Sequence, residues 1–224
     1  MKIKIAPSIL SADFSNLMED IKKIEKAGVD LLHIDIMDGH FVPNITIGPV
    51  VLDSIKGKTN LPFDVHLMIE EPIKYAQKFK EAGASIICFH AEVVHDIDNT
   101  IKHINKLGIK TAISINPKTP LSLILSHLDA IDMVLLMTVN PGFAGQAFMP
   151  EVLPKIRELR KYINENNIKI DIEVDGGIGS QNVKDVVKAG ANVVVAGSAI
   201  FKAKDPVEEV KKIRKQVESI EFEL

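Results

Sequence analysis

Ala27-Gly28-Val29-Asp30-Leu31-Leu32-His33-Ile34-Asp35-Ile36-Met37 closes one structural element and opens another. The amphipathic segment 16–26 runs into Ala27-Gly28, and a glycine at that point supplies the left-handed residue on which helices commonly end. A short apolar, β-branched run follows at once, the pattern of a buried strand. The same junction recurs at Gly83, Gly108 and Gly190. Strand-like runs occupy 4–9, 31–36, 63–67, 85–89, 110–115, 133–137, 169–174 and 193–196, and helix-period segments occupy 16–26, 73–81, 98–106, 152–164 and 182–188. Strands alternating with helices predict a parallel sheet covered by helices. A count of eight favours a closed (β/α)8 TIM barrel over an open doubly wound sheet. No Pro/Ser-rich linker divides the 224 residues, a length at which α/β barrels stay whole. Residues 1–224 are therefore expected to form a single-domain α/β barrel.

Composition narrows the function classes. A hydrophobic content of 46% with 25% charged residues is ordinary for a globular protein. A net charge of -3, with lysines spread along helix faces, leaves no electrostatic footprint for nucleic acid. No apolar stretch is long enough to span a bilayer, and the start Met-Lys-Ile-Lys-Ile-Ala lacks a signal-peptide core. The expected compartment is the cytoplasm. The single cysteine, Cys88, excludes an internal disulfide, and its place in Ile86-Ile87-Cys88-Phe89 reads as a buried structural thiol.

The chemistry sits in the strands. Alternate strand residues point to one side, so His33, Asp35 and Met37 share a face. Val65-His66-Leu67-Met68 supplies a second histidine, and Ile172-Glu173-Val174-Asp175-Gly176-Gly177 ends in another acid. Any one of these reads as a separately satisfied polar residue. Together, two imidazoles and two carboxylates from three strands make a ligand set for a borderline divalent cation such as zinc. Buried charges need partners, and the natural partners here are each other plus a metal. Barrels do their chemistry at the C-terminal ends of their strands, and Ser8, His33, Asp35, His66, Met68, Met137 and Asp175 all fall late in theirs. Asp35 on the second strand and Asp175 on the seventh could approach a substrate from opposite sides as proton-transfer groups.

Met37, Met68 and Met137 are expected to line the site, where nonbonding sulfurs would restrict water without competing for the metal. Asp38 reads as an organiser of the turn after the second strand. His40 and His90 lie near the mouth but outside the ligand pattern, while His95, His103 and His127 stand in helical or loop context. Glycine-rich turns follow the last three strands: Asn140-Pro141-Gly142-Phe143-Ala144-Gly145-Gln146, Gly176-Gly177, and Gly197-Ser198. Barrels often bind phosphate there, through backbone N–H groups that glycine lets a ligand approach. Nucleotide-binding glycine motifs are absent.

Several of these strings resemble the ribulose-phosphate 3-epimerase family nearly end to end. Ala6-Pro7-Ser8-Ile9-Leu10-Ser11-Ala12-Asp13 is similar to the family's opening, and His33-Ile34-Asp35-Ile36-Met37-Asp38-Gly39-His40-Phe41-Val42-Pro43-Asn44 to its most recognisable segment. Asp64-Val65-His66-Leu67-Met68, Met137-Thr138-Val139-Asn140-Pro141-Gly142-Phe143 and Val174-Asp175-Gly176-Gly177-Ile178 complete the likeness. The resemblance implies a ribulose-phosphate-binding (β/α)8 isomerase of the pentose phosphate pathway. It would epimerise D-ribulose 5-phosphate and D-xylulose 5-phosphate at C3 by two-base proton transfer through a metal-stabilised enediolate. It makes His33, Asp35, His66 and Asp175 the metal ligands, and Asp35 and Asp175 the acid/base pair. Ser8, His66 and Asp175 would contact substrate. Gly142, Phe143, Ala144, Gly145, Gly176, Gly177, Gly197 and Ser198 would line the phosphate end.

Zn2+ is the expected ion, with Fe2+, Mn2+ or Co2+ also compatible. The partner is a small sugar phosphate, with a homo-oligomer left open. One departure is Ala144, where the family usually has glycine, since alanine resists positive backbone angles. The same variant occurs in the related D-allulose-6-phosphate 3-epimerases, which stay as the alternative. Val195-Ala196-Gly197-Ser198-Ala199-Ile200-Phe201 resembles the pentose-phosphate enzymes. Orotidine-phosphate decarboxylase relatives resemble an Asp-x-Lys-x-x-Asp array, and this chain has no lysine there. A non-catalytic sugar-phosphate-binding barrel would have no use for two opposed acids, and a purely structural barrel would leave the polar strand ends unexplained.

Overall fold

Each of the eight runs forms a strand in the computed structural model, which describes residues 2–218 and 220; residues 1, 219 and 221–224 of the expected domain lie outside the described residues. The strands are β1 (Lys4–Ala6), β2 (Leu32–Met37), β3 (Phe63–Met68), β4 (Ala84–His90), β5 (Lys110–Ile115), β6 (Met133–Met137), β7 (Asp171–Asp175) and β8 (Val193–Val195). Neighbours are parallel throughout, in the order β1-β8-β7-β6-β5-β4-β3-β2. The two ends of that order meet along a looser seam. Asp30 N–H donates to Ile5 O at 2.9 Å, His33 N–H donates to Pro7 O at 3.0 Å, and Ser8 bridges His33. The sheet thus curls into the expected barrel.

The first strand is shorter than the run 4–9 predicts. Pro7 has no N–H to give a ladder. Ser8 Oγ then accepts from Leu10 N–H at 3.3 Å, and the chain turns into a 3-10 segment over Ile9–Ser11. The change leaves Ser8 at the rim beside the strand ends.

Among the described residues eight α-helices accompany the strands: α1 (Leu17–Lys26), α2 (Pro49–Ile55), α3 (Pro72–Glu81), α4 (Ile97–Lys106), α5 (Leu153–Glu165), α6 (Val183–Ala189), α7 (Ser198–Phe201) and α8 (Pro206–Glu218). Pro49 and Pro72 open α2 and α3 at a position whose missing N–H costs nothing. Asp96 caps α4 by accepting from Asn99 N–H at 2.9 Å. After α1 the chain turns through Gly28, whose φ of 84° is the left-handed angle its place after a helix called for. The link from β5 to β6 is built from 3-10 turns over Leu121–Leu123 and Leu125–Ala130.

Burial divides the core into two shells. Outward-facing strand residues such as Ile34, Val65, Ile87 and Val134 pack against helix residues such as Ile24, Phe79, Ile104 and Ile156. Inward-facing Ala6, Cys88, Ala112, Leu135, Val193 and Val195 fill the barrel. Cys88 is free and fully buried, as a structural thiol. The inner shell is not wholly apolar, because His33, Asp64, His66 and Glu173 share it with no exposed surface. At the N-terminal rim, ion pairs tie distant segments together: Lys4 to Asp171 and Arg214 to Asp30, both at 2.6 Å. Among the described residues, no helix is long and apolar enough to cross a membrane.

Candidate active site

Strand register brings the polar residues to one level. Asp35 pairs with His66 and Met37 with Met68 across β2 and β3, while Met137 pairs with Asp175 across β6 and β7. Between β7 and β2 stand only β8 and β1. The four expected ligands converge: one atom from each of His33, Asp35, His66 and Asp175 lies within 4.8 Å of the others. His33 Nε2 is 3.4 Å from Asp35 Oδ1, and His66 Nδ1 is 3.2 Å from the same oxygen. Ser8 Oγ–H donates to the other oxygen, Asp35 Oδ2, at 2.5 Å. His33 Nε2 is buried with no hydrogen-bond partner. An orphaned imidazole nitrogen facing two carboxylates and a second imidazole fits a divalent cation.

The electrostatics divide the two acids. Burial alone would raise Asp35, but the charge on His33 and the two imidazoles set against its Oδ1 outweigh it and hold the carboxyl well below the usual range. Asp175 lacks that help. Burial, then the negative charge of Asp35, push it up to about 7. Burial works against a charged His33, yet Asp35 and Asp64 raise it well above an ordinary histidine. His66 goes the other way, lowered by burial that its contacts with Asp35 do not offset.

Two further acids lie beneath this level. Asp64 Oδ2 accepts from His33 Nδ1–H at 2.7 Å, the usual support that orients a metal-ligating histidine. Glu173 Oε1 is 3.5 Å from the same nitrogen, and neither of its oxygens has a hydrogen-bond partner. Burial, then the nearby Asp64, raise Glu173 well above the ordinary carboxylate range. A folded-state value above the unfolded one means that the fold holds a proton the unfolded chain has lost. Stability contributed by this group therefore falls as pH rises above about 4.5. Glu173→Gln removes that slope. In metal-free protein the stability advantage of the variant should grow by about 1.4 kcal/mol per pH unit upward from pH ~5, as measured by urea unfolding. A difference that stays constant between pH ~5 and ~7 would show that Glu173 ionises as freely in the barrel as in the unfolded chain.

His90 also proves more than a bystander at the mouth. It is fully buried at the end of β4, with Nε2 2.8 Å from His66 Nε2 and Nδ1 3.2 Å from Glu92 Oε2. Burial lowers it to about 4, leaving a neutral ring. Asp64, Glu173 and His90 stand outside the expected site residues, though the sequence carries a signal for the two acids. Asp64 stands two before His66 and Glu173 two before Asp175, so the alternation that groups His33 with Asp35 puts both on the barrel's inner face. Asp38 does organise its turn, accepting from His40 N–H at 2.9 Å and Glu70 N–H at 3.0 Å.

Above the cluster lies a cavity of about 520 Å³, part of it open to solvent. Ser8, Asp35 and Asp175 line it, as do Met37, Met68 and Met137. Gly142, Phe143, Ala144, Gly145, Gly176, Gly177, Gly197 and Ser198 form its other wall. His33 and His66 do not line it; they sit behind Asp35, fully buried. Gly177 has φ of 66°, and a Cβ there would lie 2.4 Å from the backbone nitrogen of Phe148. Only glycine fits. Ala144 carries no such constraint: Asn167 is the sole non-glycine with positive φ among the described residues. The alanine therefore costs the loop no strain. Asn44 Nδ2–H holds that loop by donating to Gly142 O at 2.7 Å.

The profile of the Ribulose-phosphate 3 epimerase family matches residues 4–201, which include all eight strands and the whole polar cluster. The chain belongs to this family. Ribulose-phosphate 3-epimerase of Bacillus subtilis (strain 168) is 50% identical over 213 residues, 95% of this chain and 98% of that protein. Ribulose-phosphate 3-epimerase of Escherichia coli (strain K12) is 46% identical over 220 residues, 98% of each. Among solved structures, 3-hexulose-6-phosphate synthase from Salmonella typhimurium superposes with a TM-score of 0.73 at 23% identity, covering 96% of this chain and 98% of that one. Orotidine 5'-phosphate decarboxylase from Pyrococcus horikoshii OT3 gives 0.71 at 17% identity, covering 96% and 100%. At those identities the likeness is one of fold, and β2 of this epimerase-family chain carries His33-x-Asp35-x-Met37-Asp38 with no lysine in the array.

Proposed function

We propose that this member of the ribulose-phosphate 3-epimerase family interconverts D-ribulose 5-phosphate and D-xylulose 5-phosphate, using Asp35 and Asp175 as the proton-transfer pair at a site that holds one divalent cation. The observation that carries this reading is the meeting of two carboxylates, from strands with β8 and β1 between them, with two buried imidazoles under a glycine-walled cavity. A binder of sugar phosphate would need the cavity but not the opposed acids.

The substrate presents a weakly acidic C3–H beside a C2 ketone. A positioned base contributes about 10²–10⁴-fold, too little for such an acid, so the developing enediolate must be stabilised as well. A divalent cation held by His33, Asp35, His66 and Asp175, with Zn2+ the first expectation and Fe2+, Mn2+ or Co2+ also suited to the set, supplies positive charge beside the oxygens where negative charge develops. One aspartate takes the proton from C3, and the other gives its own proton to the opposite face. The roles exchange with the direction of reaction. Ser8 fixes Asp35 by donating to Oδ2, which leaves Oδ1 toward the imidazoles. Met37, Met68 and Met137 keep water from the reacting carbon. Backbone N–H groups of the loops at 142–145, 176–177 and 197–198 hold the remote phosphate and so orient C3.

The test sets three compounds side by side with zinc-loaded protein: D-ribulose 5-phosphate, D-allulose 6-phosphate and unphosphorylated ribulose. Ribulose 5-phosphate should be turned over with the highest kcat/KM. The hexulose phosphate, one carbon longer, should be at least about tenfold poorer, and the free sugar poorer by about 10³-fold or more because the phosphate's binding energy is lost. Preference for allulose 6-phosphate would assign the chain to the hexulose-phosphate reaction. Binding of both phosphates without turnover would leave only a sugar-phosphate-binding barrel.

A further inference from the structure

Behind the ligand cluster a second line of hydrogen bonds runs outward from β3 to the loops after β4 and β5. His66 Nε2 meets His90 Nε2 at 2.8 Å, and His90 Nδ1 meets Glu92 Oε2 at 3.2 Å. The two ring planes differ by only 25° with centroids 5.0 Å apart, so the nitrogens face each other edge to edge and the rings do not overlie. Glu92 is anchored in turn. Its Oε1 accepts from Asn116 N–H at 2.7 Å and from Thr119 Oγ–H at 2.5 Å. Lys155 Nζ holds that loop through the backbone oxygens of Asn116, Pro117 and Thr119.

Protons can be counted inward along this line. An ionised carboxylate only accepts, so His90 Nδ1 carries a proton. A neutral imidazole has one N–H, so His90 Nε2 is an acceptor and His66 Nε2–H donates to it. That leaves the neutral, metal-binding form of His66 with a bare Nδ1, 3.2 Å from Asp35 Oδ1, which is also an acceptor. Two lone pairs at that separation repel unless a cation lies against both. The opposite assignment, with the proton on Nδ1, leaves two bare nitrogens facing at 2.8 Å or demands a charged His90, which full burial opposes. We propose that Glu92, acting through His90, fixes the tautomer of His66 and so presents Nδ1 as a ready ligand for the cation. His90 and Glu92 are then positioning residues. This inference rests on the cation-site reading given above.

The test compares wild type, Glu92→Gln and Thr119→Val by two measurements: zinc affinity in competition with a chromophoric chelator, and ring 15N NMR of His66 in zinc-free protein. His66 of the wild type should be the Nε2–H tautomer. In Glu92→Gln the Asn116 N–H keeps the amide oxygen on its side and turns the NH2 to His90 Nδ1, so His90 should carry its proton on Nε2, His66 should shift to the Nδ1–H tautomer, and zinc should bind about 10–100-fold more weakly. Thr119→Val loosens the anchor but keeps the carboxylate, and its zinc affinity should stay within about threefold of wild type. Wild-type zinc affinity in Glu92→Gln, an equal loss in Thr119→Val, or a wild-type His66 protonated on Nδ1 would each overturn the proposal. A wild type with the expected tautomer that takes up no zinc, manganese or cobalt would support the relay and overturn the cation-site reading.

Discussion

Asp175→Asn is expected to lower kcat for epimerisation by about 10³–10⁴-fold, the upper part of what a positioned acid or base contributes. Asparagine keeps the shape of the side chain but can neither take nor release a proton at neutral pH. Asp175 is the cleaner of the two acids to replace. Asp35 accepts from Ser8 and lies against both His33 and His66, so Asp35→Asn disturbs several neighbours at once. Because both carboxylates belong to the ligand cluster, each variant must be assayed at saturating zinc with its metal content measured. An Asp175→Asn enzyme that carries a full equivalent of metal and epimerises within about tenfold of wild type would remove Asp175 from proton transfer.

Metal removal should have an effect of similar size. Charge stabilisation by a bound cation is worth several kcal/mol in the transition state, or about 10²–10⁴ in rate. Dialysis against a chelator should abolish turnover, and added Zn2+, Mn2+ or Co2+ should restore it. The far-UV circular dichroism should hardly change, because the strands bearing the ligands are pinned by the apolar shells on either side of them. The sign of the pH dependence follows from the metal-free site. Asp175, pushed up to about 7, and His33, raised well above an ordinary histidine, hold protons that an entering cation must displace. Zinc affinity should therefore fall by about tenfold or more per pH unit below pH ~7, with protons released on binding. Titration calorimetry in buffers of different ionisation enthalpy counts those protons. Affinity that does not change between pH ~5.5 and ~7 would place the metal elsewhere.

The barrel was legible because its evidence is local and repeated. Helix-ending glycines such as Gly28 stand directly before β-branched runs, and eight such runs leave few ways to bury a parallel sheet. The boundary of β1 was not, because Pro7 and Ser8 stop a strand that apolar periodicity alone would extend to Ile9. Within the site, His33, Asp35, His66 and Asp175 could be grouped because side-chain alternation puts them at strand ends on the inner face. Asp64 and Glu173 obey the same rule one step deeper, and their burial is unusual for acids. His90 gives no such signal, because the ligand pattern is complete without it. Glu92 reaches Asn116 and Thr119 only because the loops after β4 and β5 meet, and no periodicity encodes that meeting.

The most direct test of the two-acid account is the isotopic fate of the C3 hydrogen in a single turnover in D2O. With one aspartate on each face, the proton removed stays on the first carboxylate while the second, already exchanged with solvent, supplies the new one. Xylulose 5-phosphate formed from ribulose 5-phosphate should therefore carry close to one deuterium at C3 from the first turnover, by mass spectrometry or NMR of the product. Product that keeps the substrate's own hydrogen at C3 would mean that one group carries the proton from face to face, and would contradict the account.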